Sequence, residues 1–117
     1  MAQKETTYDF PETLIEAQRE LDEVRRELHV LLANQPWSVE PMPAWSTHEN
    51  AWRTASRPDS PGWDPADQER IAGLRAKEAE CVRLIVCHPF WSGIDLAERM
   101  AARSQLKHHR ERMAAAE

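Results

Sequence analysis

Between positions 14 and 31 six apolar residues, Leu14, Ala17, Leu21, Val24, Leu28 and Leu31, recur at alternating spacings of three and four. That is an unbroken heptad seam, and a helix carrying one must lay it against another helix. Left wet, the seam would form an apolar patch larger than soluble proteins expose. Glu16, Glu20, Glu23 and Glu27 alternate with Arg19, Arg25 and Arg26 on the other faces, with pairs such as Asp22–Arg26 and Glu16–Arg19 within reach. Asp9 and Glu12 read as a capping box with Pro11 in the first turn, and Asn34 and Pro36 stop the pattern. A helix is therefore predicted over 9–34, behind a flexible N-terminus at 1–8.

The partner stripe lies further along. Asp64 is a good N-cap, followed by Pro65 at the first helical position and Asp67 in the first turn, while Pro89 disfavours helix in the residue before it. A second helix is predicted over 64–88, with a stripe of Ile71, Leu74, Cys81 and Ile85 that Glu78 interrupts. It closes in Leu84, Ile85, Val86 and Cys87, apolar nearly all round, as expected where a helix is covered on more than one side. Each helix has about 24 residues, roughly 36 Å, and matched lengths favour an antiparallel hairpin. An interrupted stripe only partly matches an unbroken one, so a homodimer of two-fold symmetry is expected to complete the surface.

The connection at 35–63 is far longer than packed helices need. It holds Pro36, Pro41, Pro43, Pro58 and Pro61 together with Trp37, Trp45, Trp52 and Trp63, and disordered segments are poor in aromatics. Ser46, Thr47, His48 and Glu49 match a capping box that could open a short helix carrying Trp52 on the same side as Trp45. The rings either lie back on the hairpin as a belt, or Trp37, Trp45 and Trp52 serve as anchors for a protein partner, since tryptophan is enriched at interface hot spots.

After His88, Pro89, Phe90 and Trp91, the Ser92/Asp95 capping box and the Trp91/Leu96 staple predict a third helix over 92–113. On it Arg99, Arg103, Lys107 and Arg110 fall within an arc of about 80°, beside Ala102, Leu106, His109 and Met113. Residues 1–34 carry four Lys/Arg against eight Asp/Glu, whereas 99–117 carry five against two. The acidic and basic ends are expected either to face each other within the fold or to offer a cationic surface to an anionic partner. No run alternates β-branched and polar residues as a strand would. The expected fold class is all-α: one domain, an antiparallel hairpin of two long helices with a Trp/Pro-rich connecting loop and a third, C-terminal helix.

Chemistry is harder to place. There is no Gly-x-Ser-x-Gly elbow, and with 3 glycines in the chain there is no Gly-rich cradle for a phosphate. The reading is of a protein that is not an enzyme and carries no cofactor. Cys81 and His88 share a helical face, and His29, His48, His108 and His109 add imidazoles. Zinc sites, however, announce themselves by short paired spacings that do not occur here, so metal binding stands only as a third reading. Cys81 and Cys87 are expected to be reduced, buried small hydrophobes. No stretch approaches the roughly 20 apolar residues of a membrane span, and the polar N-terminus lacks a signal-peptide core, which predicts a cytoplasmic protein.

The stretch His88, Pro89, Phe90, Trp91, followed by Arg99, Arg103, Leu106, Lys107 and His108, resembles small uncharacterised helical proteins of high-GC actinobacteria. The resemblance covers about 20 residues and implies no activity. The expected function is therefore binding: a protein–protein interaction or regulatory module. The alternative is a nucleic-acid-associated accessory factor using the basic C-terminal helix, against which a sequence pI of 5.5 argues.

Overall fold

The computed structural model describes residues 7–47, 52 and 55–116, the last three by backbone alone. The described chain is mostly helical. Its elements are α1 (Glu12–Ala33), the short strands β1 (Trp45–Ser46) and β2 (Ser56–Arg57), α2 (Pro65–Val86), two 3-10 turns at Pro89–Gly93 and Leu96–Glu98, α3 (Arg99–Lys107) and α4 (His109–Ala116). Two compact units result, Met1–Arg25 with Ala76–Glu117, and Arg26–Arg75.

In the first unit the seam does what its spacing demands. Leu14, Ala17 and Leu21 of α1 cluster with Cys81 and Ile85 of α2 and with Leu106 of α3; Leu14, Leu21 and Ile85 have no exposed surface. Burying a leucine side chain of this kind stabilises by about 1.5–3 kcal/mol. Polar contacts run alongside. Glu20 pairs with Lys77 at 3.7 Å and Arg25 with Glu78 at 3.1 Å, so the glutamate that breaks the α2 stripe is a half-buried ion-pair partner of α1. Thr13 meets His88 just past the end of α2, whereas Arg25 meets Glu78, so numbers fall along α2 as they rise along α1 and the pairing is antiparallel.

The seam is thus covered within one chain, and it supplies no argument for a second copy. Helix α1 starts at Glu12, not at Asp9: the Pro11 carbonyl accepts the N–H groups of Leu14 and Ile15. Phe10 is drawn into the core instead, 5.4 Å from the Phe90 ring, with Tyr8 half-buried beside it. Chain that turns inward for a large ring cannot also continue the helix.

The predicted third helix is the main correction. Ser92 Oγ donates to the Pro89 carbonyl at 2.6 Å rather than capping, Asp95 makes no side-chain cap bond, and Leu96 is 74% exposed, so no staple forms. Trp91 is held differently, its indole N–H donating to the Ile85 carbonyl at 2.6 Å. That bond and the 3-10 turn tie the corner to the end of α2, and Ile94 is extended. Regular helix begins only at Arg99 and breaks again at His108, whose backbone leaves the helical region.

The second unit holds the later part of α1, the connection and the first part of α2. Val24, in the first unit, and Leu28, in this one, continue the buried seam, and Leu31 is half-buried. Ile71 is the buried α2 residue here, and Arg70 pairs with Glu27 at 3.9 Å. Asp64 caps α2 as expected, its Oδ1 accepting the Ala66 N–H at 2.8 Å.

The connection is a β-ribbon, contrary to the strandless expectation. β1 and β2 are antiparallel with Trp45 opposite Arg57, and Met42 exchanges both backbone bonds with Ser60. Ser46 therefore belongs to a strand and Thr47 donates its N–H to the Ala55 carbonyl at 2.9 Å, so neither opens a helix; His48 and Glu49 lie outside the described residues. At the base of the ribbon Gly62 takes φ +82°, a conformation that suits glycine.

Candidate docking groove

The end of α2, the aromatic corner and α3 enclose a groove of about 630 Å3 whose wall and rim include Val86, Trp91, Arg99, Met100, Arg103 and Lys107. Each component has a sequence cause. Val86 closes α2 on the side that the core does not use: Ile85 is fully buried, but Val86 is 60% exposed and Leu84 47%. The apolar run at 84–87 is thus covered on one side only, which corrects the expectation that it forms the centre of the core. Cys87 likewise is exposed and only Cys81 buried, both as free thiols.

On α3 the inward face is Ala102, Gln105 and Leu106, which leaves Arg99, Arg103 and Lys107, four apart, on the groove side. Met100, 86% exposed, lies beside them. The groove thus combines apolar surface with three cations and no carboxylate among its lining residues.

The cations differ in setting. Arg99 Nε donates to the Ile94 carbonyl at 3.0 Å, fixing the stem of its side chain. Arg103 is half-buried and its Nη1 donates to Gln18 Oε1 at 3.1 Å, while Gln18 Nε2 donates to Asp22 Oδ1 at 2.9 Å. Gln18 is itself buried, so the amide relays between an arginine and an aspartate. Burial holds the Arg103 guanidinium below its ordinary range, Arg25 adds to that by like charge, and Asp22 opposes it. The acidic α1 and basic α3 do face each other here, through an amide and not by direct ion pairing.

The four-cation face predicted from the sequence is a three-cation face. The break at His108 separates Arg110, which lines a smaller depression of about 280 Å3 with Arg19, Asp22 and His109. Of the predicted aromatic anchors, in the second unit, Trp37 is half-buried and donates its indole N–H to the Pro58 carbonyl at 2.6 Å. Trp45 and Trp52 are 44% and 89% exposed. Sequence reading missed Val86 and Met100 as site residues. Met100 was detectable as an apolar residue on the cationic side of its helix, off the Ala102/Leu106 strip.

Several of the groups that suggested a metal are otherwise engaged, and His48 lies outside the described residues. Cys81 is core, His88 bonds through both ring nitrogens to Thr13 and Phe90, and His108 meets Glu111 at 3.2 Å. Among the described residues no three His, Cys, Asp or Glu side chains stand where they could hold one ion. Nor, among them, is any helix long and apolar enough to cross a membrane.

The chain belongs to a domain family of unknown function, DUF8825, whose match covers residues 13–109 and so includes the whole groove and the His88–Trp91 stretch. No curated protein and no solved structure matches it.

Proposed function

We propose that this DUF8825 member is a non-enzymatic interaction module, acting in the cytoplasm, that docks another protein in the groove between the end of α2 and α3. One observation carries the reading: Met100 and Val86 are 86% and 60% exposed directly beside Arg99, Arg103 and Lys107. Large exposed apolar residues rimmed by charge are the composition of a docking surface. Trp45 and Trp52 are candidate additional anchors on the other unit.

The reading is tested by affinity capture from native lysate with the wild-type chain and with Met100→Glu and Val86→Asp, followed by quantitative mass spectrometry. A protein retained by wild type and lost from both variants supports it. Equal retention by all three, or recovery of nucleic acid alone, overturns it. The nucleic-acid alternative predicts instead that duplex affinity falls steeply with salt, with a log–log slope of roughly −0.9 per phosphate contact. Self-association through the groove predicts a mass above 13.5 kDa by light scattering that Met100→Glu reduces.

A further inference from the structure

Resting on the docking reading, we infer that the groove takes an acidic amphipathic helix, with partner carboxylates on Arg99, Arg103 and Lys107 and partner apolar side chains on Val86, Trp91 and Met100.

The charge argument begins with Arg103. Among the described residues its direct hydrogen bond goes to the neutral amide of Gln18, Asp22 is hydrogen-bonded to that amide and draws the guanidinium only by charge, and Arg25 acts on it more strongly as a like charge. A guanidinium has five N–H donors in a planar fork suited to a carboxylate, and a half-buried cation gains more from an anion than a solvated one does. Arg99 is in a similar position, with its Nε committed to Ile94 and its fork available.

The apolar surface narrows the class. A nucleic-acid backbone would satisfy the cations but leave Met100 and Val86 wet. A second copy docking by the same face would set the Arg99, Arg103 and Lys107 rim against itself, because a two-fold contact pairs a patch with its own image. The occupant must be both acidic and apolar.

Its conformation follows from spacing. Arg99, Arg103 and Lys107 repeat every four residues on α3, about 6 Å apart along the axis. A helix laid beside α3 presents carboxylates at i, i+4 and i+8 with the same rise, and apolar knobs at intervening i+3 positions. The groove walls are helix and 3-10 turn, so they offer no strand edge for an extended peptide to pair with.

The probe is a fluorescein-labelled synthetic helix of about 16 residues, roughly 24 Å long, with glutamates four apart beside a leucine stripe. Controls are the same peptide with Gln for Glu, the same with Ser for Leu, and a labelled DNA duplex. Fluorescence anisotropy should show the acidic apolar helix binding at least about tenfold tighter than any control, a difference of about 1.4 kcal/mol. Arg103→Gln and Met100→Glu should each weaken it about tenfold with unchanged circular dichroism. Arg103→Lys should lose affinity too, since an ammonium cannot fork.

Equal binding of the Gln peptide, tighter binding of the duplex, or no peptide binding each overturns the inference. If the peptide fails while capture still depends on Met100, the partner class is wrong and the docking reading stands. If both fail, both fall.

Discussion

Thr13 Oγ1 stands 2.9 Å from His88 Nε2, and the other ring nitrogen, Nδ1, accepts the Phe90 N–H at 3.1 Å. An accepting Nδ1 in a neutral ring leaves the proton on Nε2, so the imidazole donates to the threonine hydroxyl. A histidine in that tautomer cannot take the hydroxyl proton as a general base does. It works as a bracket between the start of α1 and the turn after α2. His88→Ala should cost about 1–2 kcal/mol, because the Phe90 N–H loses its acceptor, and Thr13→Val about 0.5–1 kcal/mol. Urea denaturation of both variants checks the order; an equal or reversed cost contradicts the bracket.

Leu21 has no exposed surface and sits mid-seam. Leu21→Ala should destabilise by about 2–5 kcal/mol through the cavity it leaves, and Leu21→Asp by more, since it buries an unpaired carboxylate. Met100→Ala, at an 86% exposed position, should change the melting temperature little. Thermal melts that failed to separate these variants would contradict the burial pattern.

The two cysteines should differ sharply in reactivity. Burial pushes the Cys81 thiol above its ordinary value of 9.0, with Glu20 adding to it, while Cys87 is exposed. Iodoacetamide near pH 8 should label Cys87 first and Cys81 only on unfolding. Because the folded-state thiol pKa is raised, Cys81 contributes stability that is intact below about pH 9 and lost as pH rises through the folded value. The alkaline fall in melting temperature should therefore be shallower in Cys81→Ala than in wild type.

Gly62 and Gly73 should answer opposite ways to alanine. A Cβ at Gly62 would sit 2.9 Å from the Pro41 ring, on a backbone with φ +82°, so Gly62→Ala should cost more than about 1 kcal/mol. A Cβ at Gly73 meets nothing within 4 Å, and Gly73→Ala within α2 should stabilise by about 0.5–1 kcal/mol. Denaturation of the pair tests the ribbon geometry and the helix together.

What the sequence disclosed followed periodicity and capping. The seam from Leu14 to Leu28 and the Asp64 cap were legible because each is local: a spacing, or an oxygen two residues from its donor. The β-ribbon was not, since its strands are two residues long and too short to show alternation. The α3 start was misplaced because a capping-box pattern at Ser92 was satisfied otherwise, by long-range bonds such as Trp91 to Ile85 that no local rule contains. Of the groove, the cationic row and Met100 beside it were readable; Val86 was not, because it belongs to a run whose burial depends on how many neighbours cover it.

The indole bonds have an optical consequence. Trp37, Trp63 and Trp91 donate their N–H groups to the carbonyls of Pro58, Pro36 and Ile85, while Trp45 and Trp52 are exposed to solvent. Emission should therefore split into a red, acrylamide-quenchable component from the exposed pair and a bluer, shielded component from the tied three. With the red light quenched away, the residual spectrum watches the hairpin base and the groove wall, so a ligand entering beside Trp91 would announce itself without any label on the chain.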